Sequence, residues 1–190
     1  MTYVLTPGCY RKPLLPDSIR LLRILPDEDQ KAPIRCELFH YSLQEFDEQT
    51  HLYDALSYVW GASDKPQFIF IHEHDQSNTH KLPVTKNLYE ALLRLRTRFI
   101  ERIIWIDAVC INQEDDREKE HQIQLMAKIY GHANRIIVWL GEAADDSTQA
   151  IQNIRVAGSR KLTAPLDNET VRQSVVALLE RPWFRRIWVG

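Results

Sequence analysis

The chain has 190 residues, of which 44% are hydrophobic and 26% charged, and its formal net charge is −2. This composition is typical of a folded domain and argues against a disordered chain. Because the charge is nearly balanced, the basic excess that duplex nucleic acid requires is missing, and no nucleic-acid partner is favoured. Three cysteines without a C-x-x-C spacing indicate reduced thiols and predict a cytoplasmic protein. The sequence shows neither a signal peptide nor an apolar run long enough to span a membrane.

The N-terminal part predicts a loosely ordered lead-in followed by a β-hairpin. Residues 1–17 are rich in proline and form the lead-in. Two apolar runs, Ser18–Leu25 and Ile34–Tyr41, have strand character and can pair as a hairpin. We assign residues 18–190 to a single domain.

The next stretch predicts two strands and a helix. The aromatic and β-branched run Tyr53–Trp60 predicts a buried strand, and Phe68–Ile71 predicts a short one. Thr85 is placed to cap a helix. The apolar stripe of that helix consists of Leu88, Ala91, Leu92, Leu95 and Phe99. Three arginines between positions 94 and 98 lie mostly off the stripe. We interpret them as a solvated face of the helix and not as a binding patch.

The centre of the chain predicts a buried strand and a long helix. The nearly continuous apolar run Ile103–Ile111 is typical of a strand buried on both faces. A helix follows over residues 115–130, with carboxylates in its first turn and Gly131 placed to end it.

The remaining pattern completes an α/β fold. Arg135–Leu140 predicts another buried strand, and two helices are predicted over residues 147–161 and 170–180. The alternation of strands and helices predicts an open, mostly parallel sheet flanked by helices, with the hairpin as an N-terminal extension.

Four ordered sequence blocks carry a family resemblance. They are Tyr53–Gly61 (YDALSYVWG), Leu82–Leu88 (LPVTKNL), Trp105–Gln113 (WIDAVCINQ) and Arg181–Val189 (RPWFRRIWV). With these blocks the chain resembles the fungal heterokaryon incompatibility (HET) domain family. Because members usually continue beyond the fourth block, we expect this chain to be trimmed at its C-terminal end.

The resemblance implies a role in fungal non-self recognition, a form of innate immunity that ends in programmed cell death. It implies self-association and a partner protein of the nucleotide-binding receptor type. The family is remotely similar to Toll/interleukin-1 receptor (TIR) domains, which suggests a TIR- or flavodoxin-like sheet. Some TIR domains cleave NAD⁺ with one glutamate, and others only assemble as scaffolds. NAD⁺ would thus be a substrate, and no cofactor is implied; a likeness of fold is weak support for chemistry.

Ligands of open parallel sheets bind beyond the carboxyl ends of the strands. At those ends the sequence places our substrate-binding candidates: Tyr58, Trp60, Gly61, Asn112, Gln113 and Glu142. The aromatic rings could stack on nicotinamide or adenine. The two amides could bind ribose, although they could equally fix their own loop.

Glu120 is the first catalytic candidate. At ~100° per residue, Ile123, Ala127 and Tyr130 define the buried stripe of its helix, and Asp116 and Glu120 lie on or near that stripe. A carboxylate there could stabilise an oxocarbenium-like ribose during NAD⁺ cleavage. The alternative is an acid that caps the helix or faces solvent.

Asp107 is the second catalytic candidate, with Asp116 as the third. Asp107 lies inside the predicted apolar strand, where a carboxylate is costly unless it is paired. Its alternative role is structural, paired with Arg135, Arg185 or Arg186.

No metal site is assigned. The tripeptide His72–His74 (HEH) has two imidazoles but no third ligand at regular spacing. Three functions therefore stay open: an NAD⁺-cleaving effector, a non-enzymatic oligomerising scaffold, and a metal-dependent nuclease that uses Asp107, Asp116 and Glu120.

Overall fold

The computed structural model describes residues 8–44, 52–72, 78–158 and 169–185. The chain divides into two compact units, Met1–Trp139 and Leu140–Gly190. The first unit carries the sheet and three helices of the described residues, and the second carries two helices. The assignment of residues 18–190 to a single domain stays a prediction.

The first unit is built on a mixed sheet that has seven strands within the described ranges. The strands are β1 (Ser18–Ile24), β2 (Arg35–Ser42), β3 (Asp54–Tyr58), β4 (Gln67–His72), β5 (Thr79–Val84), β6 (Arg102–Trp105) and β7 (Arg135–Trp139). Their order across the sheet is β5-β4-β2-β1-β6-β3-β7. The pairs β2–β4, β3–β6 and β3–β7 are parallel, and the other pairs are antiparallel. The predicted α/β class, an open sheet flanked by helices, is confirmed.

The predicted hairpin is confirmed and lies inside the sheet. Strands β1 and β2 pair from Ser18 opposite Ser42 to Ile24 opposite Cys36. All residues of β1 except Arg23 are buried, and the strand also pairs with β6. Because β1 buries apolar side chains on both faces, it occupies the middle of the sheet instead of extending from it.

Helix α1 (Lys86–Leu95) begins where the sequence predicts. The hydroxyl oxygen of Thr85 accepts a hydrogen bond from the Leu88 N–H at 3.3 Å, which satisfies a free donor of the first turn. Its end was predicted wrongly, because Phe99 lies beyond the helix and is 74% exposed. The chain leaves helical geometry at Arg96, whose guanidinium donates to four carbonyl groups between residues 29 and 33.

The predicted strand Ile103–Ile111 is wrong in its second half. Strand β6 ends at Trp105, and a single helical turn, α2 (Asp107–Cys110), follows. The turn is closed by the Cys110 N–H, which donates to the Ile106 carbonyl at 2.7 Å. Its apolar side chains are buried nevertheless. A short apolar run therefore cannot distinguish a buried strand from a buried helical turn.

Helix α3 (Asp116–Gly131) lies within one residue of the predicted bounds but has a different buried face. Asp115 caps it and accepts hydrogen bonds from two backbone N–H groups of its first turn. Gln122 and Ile129 are buried, whereas Ile123 is 49% exposed. The inward face thus includes positions 118, 122 and 129. Of the predicted stripe, Ile123 and Ala127 are exposed, whereas Tyr130 packs against the core.

The second unit contains α4 (Ser147–Gly158), α5 (Glu169–Leu179) and a 3-10 turn, Pro182–Arg185. Both helices were predicted. Within this unit the Arg181 guanidinium donates to the carbonyls of residues 140, 142 and 144. Among the described helices of the whole chain, none is long and apolar enough to cross a membrane.

Candidate functional site

The parallel strands β3, β6 and β7 end at one edge of the sheet, which we call the rim. We define the rim by Trp60, Asn87, Asp107, Gln113 and Trp139. Each of these side chains takes part in a hydrogen bond between two of the segments that meet there. Those segments are the loop after β3, the start of α1, α2 with the turn after it, and the end of β7. The rim lies wholly within the first unit.

Asp107 is the carboxylate at the centre of the rim. Its Oδ2 accepts a hydrogen bond from Trp60 Nε1 at 3.0 Å, and its Oδ1 accepts one from the Ala108 N–H at 2.7 Å. Gln113 Nε2 donates to the Asp107 carbonyl at 2.9 Å. The side chain is half-buried. This carboxylate is therefore held in one orientation by the loop after β3 and by its own helical turn.

Of the arginines proposed as partners of Asp107, Arg135 pairs with another carboxylate. Arg135 binds Asp54 through two hydrogen bonds of 3.1 Å. Arg185 belongs to the second unit, and Arg186 lies outside the described residues.

Asn87 ties the rim together, although the sequence analysis did not select it. Its Nδ2 donates to the Val59 carbonyl at 2.6 Å, and its Oδ1 accepts from Trp139 Nε1 at 2.8 Å. Two residues after Val59, Gly61 has a φ of +76°, a left-handed conformation that favours glycine. Asn87 stands in the second of the four sequence blocks, and its position in the first turn of α1 was the available signal.

The two candidate amides fix the loop that carries them. Asn112 is buried, and its Oδ1 accepts from the Glu114 N–H at 3.2 Å. Gln113 Nε2 donates to the carbonyls of Asp107 and Ile111. Both groups are thus engaged within the turn between α2 and α3.

The two candidate aromatic residues differ in accessibility. Tyr58 is 1% exposed and belongs to the core, whereas Trp60 is 40% exposed at the rim. Only the Trp60 ring offers an open face for stacking.

The acids of α3 do not join the rim. Glu120 lies on the exposed outer face of the helix with Ile123 and Ala127. The Asp116 carboxylate is 95% exposed and forms an ion pair with Lys119 at 2.9 Å. Glu142 is an exposed residue of the second unit, and its carbonyl accepts from Arg181. Of the three catalytic candidates, the rim contains Asp107.

The sequence analysis missed Glu118, the acid of α3 that faces the sheet and whose side chain is 11% exposed. It forms a two-pronged ion pair with Arg20 of β1, with Nη1–Oε1 at 2.5 Å and Nη2–Oε2 at 3.0 Å. Arg20 is 1% exposed. Glu118 Oε1 also accepts a hydrogen bond from the Asn112 N–H at 2.7 Å. The ion pair therefore anchors the loop of the rim to the centre of the sheet. An arginine within the apolar run of β1 was the signal, because a buried guanidinium needs an acidic partner.

The thiols offer no nucleophile at neutral pH. All three cysteines are free. Burial raises the pKa of Cys110 to about 12 and that of Cys9 to about 11. Burial also raises the pKa of Cys36 far above its usual range.

Within the described ranges, no group of three or more histidine, cysteine, aspartate or glutamate side chains is arranged to hold a metal ion. Of the His72–His74 tripeptide, Glu73 and His74 lie outside those ranges.

A family model and a curated relative both match this chain, and both are named for heterokaryon incompatibility. A family model described as "Heterokaryon incompatibility protein (HET)" matches residues 53–190. Heterokaryon incompatibility protein 6, OR allele, from Neurospora crassa is 37% identical over 117 residues, which cover 58% of this chain and 17% of that protein. The chain therefore corresponds to less than a fifth of that relative's length. No solved structure matches.

Proposed function

Because this chain belongs to the heterokaryon incompatibility (HET) family, we propose that it acts in fungal non-self recognition as a cytoplasmic module that triggers regulated cell death. The matched region includes every residue of the rim. The module would act on self-association, prompted by a partner protein of the nucleotide-binding receptor type.

The chemistry that we propose for the rim is hydrolysis of NAD⁺. The observation that supports it is the Asp107 carboxylate, which Trp60 orients at the carboxyl ends of the parallel strands. The bond between ribose C1′ and the nicotinamide nitrogen breaks, and nicotinamide leaves with the bonding electrons. Water attacks C1′ and loses a proton, which gives ADP-ribose. A fixed carboxylate stabilises the oxocarbenium character that develops on the ribose.

The proposal assigns the carboxylate to Asp107 and not to Glu120. Glu120 faces outward from α3, while Asp107 lies beside the one exposed aromatic ring of the rim. The remote similarity of the family to TIR domains motivates NAD⁺ as the substrate, and the exposed Trp60 face suits a flat nicotinamide or adenine ring.

Expression in a fungal host tests this proposal. The chain is fused to an inducible dimerisation module, and viability and cellular NAD⁺ are followed together after induction. We expect both to fall for the unaltered chain and for Glu120→Gln, and neither to fall for Asp107→Asn. Death without NAD⁺ loss would refute the chemistry and leave the death-triggering role standing.

A second candidate function is a non-enzymatic scaffold, and one observation favours it. Strand β7 lies at one of the two edges of the described sheet, and its alternate residues Ile136 and Val138 are exposed. Exposed apolar strands at a sheet edge readily pair with another chain. If this is the function, Ile136→Ser with Val138→Ser abolishes death, whereas Asp107→Asn leaves it intact.

A further inference from the structure

A surface pocket of about 320 Å³ lies at the end of the sheet opposite the rim. Its charged residues stand at the first positions of three parallel strands: Asp54 of β3, Arg102 of β6 and Arg135 of β7. Asp54 is buried and binds both arginines, Arg102 through Nη1 at 2.9 Å and Arg135 through Nε and Nη2 at 3.1 Å. The buried carboxylate thus fixes two guanidinium groups in the pocket wall.

Both guanidinium groups keep donors for a further acceptor. Arg102 also uses its Nε, which donates to the Leu95 carbonyl at 3.2 Å. Within the described ranges, Arg102 Nη2 and Arg135 Nη1 make no hydrogen bond. The pocket's other acid, Glu101, pairs with Arg23 at 3.4 Å. Oriented guanidinium donors at an open pocket suit the oxygen atoms of a phosphate group.

An apolar tip adjoins this pocket. We define the tip as residues 97–100, in which Phe99 is 74% and Ile100 is 72% exposed. Thr97 and Ile100 also line the pocket. The tip is a fixed turn, because the Ile100 N–H donates to the Thr97 hydroxyl at 3.0 Å and Arg96 anchors its base to residues 29–33. The hydrogen-bonded turn therefore holds two large apolar side chains in solvent.

The segment that carries the tip is basic, and the acidic residues 27–29 adjoin its base, where the Asp27 N–H donates to the Thr97 carbonyl at 3.2 Å. Residues 94–102 contain four arginines and one glutamate. Apolar side chains that project from a basic surface are the usual means by which a protein attaches to an anionic membrane face. A solvated face, the interpretation preferred from the sequence, explains the arginines but not the exposed Phe99 and Ile100.

We propose that the pocket and the tip together bind an anionic lipid surface. A headgroup phosphate lies in the pocket against Arg102 and Arg135, and Phe99 and Ile100 insert between the lipids. The apolar pair at the mouth of the pocket selects a lipid phosphate over a free one. This attachment site is independent of the rim and does not rest on NAD⁺ cleavage.

Vesicle flotation of the full chain tests the proposal. At low ionic strength, the chain floats with phosphatidylcholine vesicles that contain phosphatidic acid and stays unbound with pure phosphatidylcholine. Phe99→Ser with Ile100→Ser lowers the partition coefficient about tenfold or more, from the lost burial of two apolar side chains. Arg135→Gln lowers it about fivefold, the contribution of one basic residue near an anionic surface.

Matched controls use exposed residues elsewhere on the first unit, Leu15→Ser and Arg11→Gln, and these float like the unaltered chain. The thermal midpoint of the Phe99/Ile100 variant stays unchanged, which separates lost binding from lost folding. Equal flotation with neutral vesicles would overturn the proposal. So would anionic-vesicle binding that survives in the Phe99/Ile100 variant, or pelleting of the chain without vesicles, which would make the tip a contact between copies. Failure to float at all refutes it as well.

Discussion

Replacing Glu118 with alanine removes the acidic partner of a buried arginine. Arg20 is 1% exposed in the middle of β1, and Glu118 supplies both of its carboxylate contacts. The variant leaves the guanidinium with the carbonyls of Lys12 and Cys110, at 3.2 and 3.4 Å. It also removes the acceptor of the Asn112 N–H.

The expected loss of stability is large for a single substitution. Removing one partner of a buried ion pair costs about 3–5 kcal/mol, since the remaining charge stays desolvated. The lost hydrogen bond from Asn112 adds about 1 kcal/mol. Because two carbonyls still contact Arg20, we expect a total of about 4 kcal/mol, at the lower end of the summed range.

Urea unfolding followed by tryptophan fluorescence measures this difference, with Asp116→Ala as the matched control. Asp116 belongs to the same helix, but its ion pair with Lys119 is exposed, and such pairs contribute about 0–1 kcal/mol. Replacing both partners, Arg20→Met with Glu118→Leu, recovers much of the loss, because no buried charge is then left unpaired. If Glu118→Ala and Asp116→Ala destabilise the chain equally, the buried pair does not carry the stability that we assign to it.

Three further predictions concern α1, the turn after β3 and the thiols. Thr85→Ala lowers the free energy of unfolding by about 1 kcal/mol, because the first turn of α1 loses its cap, and thermal unfolding with Thr85→Ser as control checks this. Gly61→Ala lowers the free energy of unfolding by about 1–2 kcal/mol, because alanine at a φ of +76° is strained. An equal thermal midpoint for the variant and the unaltered chain would contradict this reasoning. In native buffer at pH 7, iodoacetamide leaves Cys36 and Cys110 unmodified, because burial excludes the reagent and raises both pKa values, so that the reactive thiolate is scarce below the folded pKa. Mass spectrometry shows modification of both after urea is added, and labelling of the native chain would contradict the buried placement.

Features set by local chemistry could be predicted from the sequence. The Thr85 cap, the Asp115 start of α3 and the hairpin of β1 and β2 each depend on neighbouring residues or on an apolar pattern within one segment. The α/β class followed from the alternation of such segments.

Features set by distant contacts could not be predicted. Glu118 and Glu120 are two positions apart on the same helix. Only the packing of α3 onto Arg20, 98 positions from Glu118, determines which of them faces the sheet. The turn α2 hides its apolar side chains as a strand would, so the pattern gave the wrong element. Asp107 was selected for lying inside a strand; it lies instead at the start of that turn, where Trp60 reaches it.

The most direct test of the account is nicotinamide release from NAD⁺ by the purified, dimerised chain, measured by chromatography. We predict stoichiometric nicotinamide and ADP-ribose from the unaltered chain. Asp107→Asn should lower the rate about 10²-fold or more, the scale on which one preorganised electrostatic group contributes. Glu120→Gln should keep the rate within about twofold, as expected of an exposed acid remote from the reacting bond. Release of nicotinamide that persists in Asp107→Asn, or no release from a chain that kills its host, would contradict the assignment of NAD⁺ cleavage to the rim.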